Sequence, residues 1–167
     1  MGSGTHEHDE CARPLGELIA SLGCDLLTGG GGGAMRAVSR AFTAHPGKRG
    51  VCIGVLPCAS ENDRGSSKAG YPNEFVEIAI RTHLPHSGAR GTDDLSRNHI
   101  NILSSAAIVA LPGESGTLSE LALALRYGTP VVAFANDPAL LHNFPSVVPQ
   151  LYDLKDVERF LRRCIPA

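Results

Sequence analysis

Gly29 to Gly33 form an unbroken glycine run between an apolar segment, Cys24-Asp25-Leu26-Leu27-Thr28, and a segment of helical composition, Ala34 to Phe42. Glycine backbones reach φ > 0 and let a ligand come close to their N–H groups. A helix start just behind such a loop adds unpaired N–H donors and a partial positive charge. The order strand, glycine loop, helix is therefore a phosphate cradle. The plainer reading is a flexible linker, but a linker would lack apolar flanks this tight. A second glycine turn, Pro112-Gly113-Glu114-Ser115-Gly116-Thr117, has the same kind of setting. The candidate anion contacts are Gly30, Gly31, Gly32 and Gly33 with Met35 behind them, and Gly113, Ser115, Gly116 and Thr117, whose two hydroxyls add donors.

The remaining reactive residue types carry weaker signals. His6-Glu7-His8-Asp9 with Cys11 has metal-ligand types, but no second cluster has site-like spacing, and no metal is expected. His83 and His86 read as solvent-facing loop residues, with pocket lining as the alternative. Cys58 follows Pro57 at a strand end, and a nucleophilic role there would need an activating base. Met35 and Leu118 read as core residues rather than ligand contacts, with ligand contact by Met35 as the alternative. Asp93 and Asp94 read as helix-capping carboxylates.

The elements that must position these residues follow from periodicity. Leu15, Leu18, Ile19 and Leu22 have helical spacing within Asp9–Leu22, and Gly23 stops that helix. Strands are expected at 25–28, 51–56, 106–111 and 130–134, with an extra one at 75–82. Helices are expected at 34–44, 93–104, 118–127 and 155–164. A weak helix near 138–143 and a short strand near 150–152 complete the tail. The polar stretch Ser60–Asn73 is the best candidate for a mobile surface loop. Alternating strands and helices imply a mainly parallel sheet covered on both faces, with ligands beyond the strand C-terminal ends.

The chain has 167 residues, 43% of them hydrophobic, which suits one domain over 1–167 with an aliphatic core. A net charge of -2 argues against nucleic acid as a partner. No run approaches the ~18 apolar residues of a membrane span. Five scattered cysteines suit reduced thiols, and a cytoplasmic location is expected. The opening Met1-Gly2-Ser3-Gly4-Thr5 looks like the loop that follows a first strand, which makes Gly2 and Ser3 further candidate ligand contacts. Either that strand is missing from this sequence or the opening residues are an appended remnant. We favour the first, and expect its loss to open a groove in the core.

Thr28-Gly-Gly-Gly-Gly-Gly-Ala-Met35, Ser96-Arg97-Asn98 and Pro112-Gly-Glu-Ser-Gly-Thr-Leu-Ser-Glu120, in this order and spacing, resemble the LOG-like Rossmann superfamily. It includes cytokinin-activating phosphoribohydrolases and molybdenum-cofactor carrier proteins, and its members are often labelled lysine decarboxylases. The resemblance runs from about Leu15 to Phe134. It implies a Rossmann-like three-layer αβα sandwich of α/β class. It also implies a catalytic pair, Arg97 and Glu120, with Glu120 stabilising positive charge on a ribose ring or orienting water. Structural alternatives are a helix-start carboxylate for Glu120 and a surface ion pair for Arg97. Two departures stand out. Glu114 replaces the second glycine of the family's PGG, and the first glycine motif is one residue short, as in the carrier branch. The implied functions are hydrolysis of a nucleoside 5′-monophosphate to base and ribose 5-phosphate, or non-catalytic carriage of molybdenum cofactor or another phosphorylated ligand. No cofactor is required for either, and a homodimer or higher homo-oligomer is expected.

Overall fold

The computed structural model describes residues 1–165. Their elements run α1 Asp9–Ser21, β1 Leu26–Thr28, α2 Gly33–Ala44, β2 Cys52–Leu56, β3 Ile78–Arg81, α3 Asn98–Leu103, β4 Ile108–Ala110, α4 Ser115–Tyr127, β5 Val131–Phe134, β6 Gln150–Leu151 and α5 Leu154–Cys164. Single 3-10 turns lie at Gly88–Arg90 and Pro138–Leu141. Helices α1, α2, α4 and α5 each bury an apolar stripe. Leu15 and Ala20 of α1 and Ala34, Ala37, Val38 and Phe42 of α2 enter a shared core. Gly16 lets the two helices meet, since a Cβ there would lie 2.9 Å from the Ala41 Cβ.

The strands make two parallel sheets of three, β1-β2-β3 and β4-β5-β6. Register is set by Leu27 opposite Ile53, Ile53 opposite Ile78, and Val109 opposite Val132. Strands β4 and β5 are buried along their length, as in parallel sheets covered on both faces. Strand β3 is an exposed edge.

The two sheets do not pair with each other. A cavity of about 640 Å³ separates β1 from β4, lined by Leu26, Leu27, Ile108 and Val109 and by Leu15 and Val38 from the covering helices. At its rim the first residues lie along β4. The Met1 ammonium donates to the Val109 carbonyl at 3.0 Å and the Leu111 N–H donates to the Met1 carbonyl at 2.9 Å. This alternation is that of a parallel ladder.

One expected helix begins late. Asp93 and Asp94 precede α3, which starts at Asn98. The Asp93 carboxylate is taken instead by Arg90 Nε at 2.9 Å and His86 Nδ1 at 3.2 Å. It closes a loop and caps nothing.

Candidate functional site

Both glycine turns follow the C-terminal end of a strand, Gly29–Gly33 after β1 and Pro112–Glu114 after β4. Ser3 ties them together. Its N–H donates to the Pro112 carbonyl at 3.0 Å, and its carbonyl accepts from the Ala34 N–H at 2.9 Å. The starts of α2 and α4 thus lie on either side of one buried residue. The Ser3 hydroxyl turns back on its own loop, accepting from the N–H groups of Thr5 at 3.2 Å and His6 at 3.0 Å. Gly2 is pressed between Ala34 and Leu111, where a Cβ would lie 2.9 and 3.1 Å from theirs. Gly33, at φ 57°, has no room for a Cβ beside the Ser3 carbonyl.

Among the described residues neither helix start is capped by a side chain. The N-cap of α2 is Gly32 and that of α4 is Glu114. Their first-turn N–H groups are the kind of donors an anion meets at a helix end. The Ala34 N–H is already engaged, donating to the Ser3 carbonyl. Thr117 departs from the donor role expected of it. It is 1% exposed, it sits beneath the Gly113 turn, and its hydroxyl has no partner among the described residues. Ser115 is exposed at the start of α4.

The polar stretch before β3 is anchored to the first turn. Asn73 donates from its N–H to the Gly30 carbonyl at 2.7 Å and from Nδ2 to the Gly31 carbonyl at 2.9 Å. The Tyr71 ring covers Gly31 so closely that a Cβ there would lie 2.7 Å from its hydroxyl. Sequence reasoning missed Tyr71 and Asn73 as site residues, since they meet Gly31 only through the fold. The loop before α3 covers the second turn. A Cβ on Gly116 would lie 3.6 Å from Gly88, and the Ser119 hydroxyl donates to the Gly88 carbonyl at 2.9 Å. His86 anchors this loop. It is 7% exposed, not solvent-facing, and its Nε2 lies 2.8 Å from Glu61 Oε1. Hydrogen bonding to His86, then Arg90, holds the Glu61 carboxyl below its ordinary range.

Arg97 and Glu120 come together, but inside the molecule. Arg97 Nη1 lies 3.5 Å from Glu120 Oε1 and donates to Asn98 Oδ1 at 2.8 Å. The guanidinium lies flat against Gly29, where any Cβ would collide with it. Arg97 is therefore not one end of a surface pair. Glu120 lines the cavity between the sheets, beside Met1. Met35 lines that cavity too. Cys58 is buried with its thiol toward the Ser60 carbonyl at 3.5 Å. Glu7 pairs with Arg36 and Arg40, and among the described residues no group of three or more His, Cys, Asp or Glu is placed to hold a metal ion. Among them, no helix is long and apolar enough to cross a membrane.

Comparison with known proteins gives a consistent picture. Residues 1–161 match the SLOG cluster4 family. A protein of Archaeoglobus fulgidus, described as uncharacterized, is 34% identical over 134 residues, covering 78% of this chain and 75% of that one. The molybdenum cofactor binding protein of the phototrophic bacterium Rippkaea orientalis is similar in structure, with a TM-score of 0.69 at 30% identity, over 96% of this chain and 89% of that one. The molybdenum cofactor carrier protein MCP of Chlamydomonas reinhardtii also has a TM-score of 0.69 at 30% identity, over 98% and 94%. The structural-genomics target TM1055, at 20% identity and a TM-score of 0.68 over 94% and 88%, shares the fold.

Proposed function

This chain belongs to the SLOG cluster4 family, within the LOG-like Rossmann superfamily, and on that premise we propose that it binds a phosphorylated small molecule at the two glycine turns joined by Ser3, without cleaving it. The observation that carries this reading is the bridge Pro112–Ser3–Ala34, which brings two glycine turns and two helix starts around one residue. The donor set suits a phosphate: the glycine N–H groups of 31–33, the first turn of α4 and the Ser115 hydroxyl. Tyr71 over Gly31 supplies an aromatic wall for a ring attached to that phosphate. Two structural relatives at 30% identity carry or bind molybdenum cofactor, so that phosphorylated pterin is the leading cargo. Glu114, exposed at the N-cap of α4, is the one feature set against an anion there.

Isothermal calorimetry with molybdenum cofactor and with a panel of nucleoside 5′-monophosphates tests this. We expect saturable binding of a phosphorylated ligand, no release of free base, and loss of binding when Gly33 is replaced. An unchanged heat signal and melting temperature with every phosphorylated ligand would overturn it.

A second reading is hydrolysis of a nucleoside 5′-monophosphate, favoured by the proximity of Arg97 and Glu120. In that reading Glu120 stabilises the developing oxocarbenium charge, and water supplies the new hydroxyl of ribose 5-phosphate. Its position in the interior cavity and its engagement by Arg97 favour binding over catalysis. Turnover that survives Glu120→Ala would exclude this assignment. We also propose a homodimer contact on α3 and α4, supported by the exposed Leu103, Leu125 and Tyr127, and light scattering tests it.

A further inference from the structure

Two loop segments cover the glycine turns, one seated on each. The first, residues 58–73, opens as a hairpin. The Ala59 N–H donates to the Ser66 carbonyl at 2.9 Å, and Cys58 and Ser67 form an antiparallel bridge. Ser60 and Asp63 exchange both backbone bonds across the tip, at 3.2 and 3.3 Å. The far end of this segment sets Tyr71 and Asn73 on Gly31. The second cover is residues 86–96. The His86 N–H donates to the Leu95 carbonyl at 3.1 Å at its base, and the Gly88 turn lies over Gly116.

Glu61, at the hairpin tip, fastens the first cover to the second. Its Oε1 lies 2.8 Å from His86 Nε2 and accepts from Arg90 Nη1 at 3.1 Å. Arg90 Nε donates in turn to Asp93 Oδ2 at 2.9 Å, and that oxygen lies 3.2 Å from His86 Nδ1. Lys68 makes a second crossing, donating to Ser87 Oγ at 3.5 Å. Exposed ion pairs contribute little. Glu61 differs in having a buried partner, since the His86 side chain is only 7% exposed and wedged between two carboxylates. Removing Glu61 leaves that buried ring nitrogen without a partner, which is costly.

We propose that Glu61 is the latch of a two-part roof, and that a phosphorylated small molecule enters and leaves the glycine turns only when this latch is released. The gate rests on the reading of those turns as an anion site; the latch does not. A ligand that reaches both turns lies beneath the covers seated on them. Parting the covers requires the Glu61 carboxylate to leave His86 and Arg90. The polar stretch Ser60–Asn73 is then a gating segment held in place at both ends, by Glu61 on His86 and by Asn73 on Gly30 and Gly31.

The test compares the full chain with Glu61→Ala and with Glu61→Gln, which keeps an acceptor oxygen. Without ligand, amide exchange is read at Ala59 in the first cover and at Gly91 in the second, whose N–H donates to the Gly88 carbonyl at 3.0 Å. Val132 in the buried strand β5 is the reference. In Glu61→Ala we expect both cover amides to exchange at least about tenfold faster, with Val132 unchanged. Glu61→Gln should give a smaller rise at both. Stopped-flow binding then uses molybdenum cofactor and nucleoside 5′-monophosphates as probes. Association and dissociation rates should rise together in Glu61→Ala, at least about fivefold, with Kd moving less than about twofold. Unchanged exchange at either cover overturns the latch. Faster exchange with unchanged ligand rates overturns the gate. Failure of the unaltered chain to bind any probe overturns the anion-site reading and the gate with it, while the exchange measurement still decides the latch.

Discussion

Arg97 Nη1 lies 3.5 Å from Glu120 Oε1, and the two side chains are only 5% and 12% exposed. The contact is long for a charge-assisted bond, and Arg97 Nε has no partner among the described residues. Such a pair holds its place because breaking it leaves a buried charge alone. Gly29 completes the arrangement, since the guanidinium lies where a side chain at 29 would be.

Glu120→Leu is therefore expected to destabilise the fold by about 3 kcal/mol, by stranding Arg97. A second change, Arg97→Met, should restore most of that loss, because the charge is removed with its partner. Urea unfolding of the two single variants and the double variant measures the coupling directly.

Gly33→Ala should weaken both the fold and ligand binding. At φ 57° and against the Ser3 carbonyl, an added Cβ displaces the opening loop from α2. We expect a loss of about 1–3 kcal/mol in stability and at least a tenfold loss of phosphorylated-ligand affinity, read by calorimetry. Gly65→Ala, where an added Cβ meets nothing, should change neither.

Asn73→Ala removes the two bonds that Asn73 makes from its side chain, one to the Gly31 carbonyl at 2.9 Å and one from the Phe75 N–H at 3.1 Å. The buried Gly31 carbonyl then loses a partner, at a cost of about 1–2 kcal/mol. Tyr71→Ala should leave stability nearly intact and weaken ligand affinity, which a thermal melt and a titration on the same sample distinguish.

Two titrations both make stability rise with pH, in separate windows. The Glu77 carboxyl is held below its ordinary 4.5, first by the Cys52 N–H at 2.8 Å and then by Lys48. Its contribution is present above that ordinary value and is lost as pH falls through the lower folded value. With 40% of the side chain exposed, about 0.5–1 kcal/mol is expected. Glu77→Gln should thus be destabilising at neutral pH and neutral in strong acid, by denaturant melts at both.

The Met1 ammonium has a folded value below its ordinary 8.0. Between the two values the unfolded chain binds a proton that the folded chain does not, so stability rises with pH across that window and levels off above it. Acetylating the Met1 nitrogen should flatten this rise in Tm below the ordinary value of 8.0.

Periodicity alone located the alternating helices and strands, because core-facing residues recur at the spacing each element imposes. Bounds moved by a residue or two for most of them. The Asp93 helix start failed for a specific reason. Carboxylates at 93 and 94 look like caps, yet Asp93 is drawn to Arg90 and His86 across a loop. The sheet expected as one is two sheets of three strands, with a cavity between β1 and β4.

By itself, the sequence determined that glycine turns would follow two strands and lead into helices, because conformational freedom and apolar periodicity are local properties. Its resemblance to the LOG-like superfamily also singled out Arg97 and Glu120 as a candidate pair. Only the tertiary structure decided that Ser3 joins the turns, that Tyr71 covers Gly31, and that Glu120 faces the interior with Arg97. Those contacts link residues tens of positions apart, and their geometry depends on how whole sheets and helices pack, which no short stretch of chain encodes.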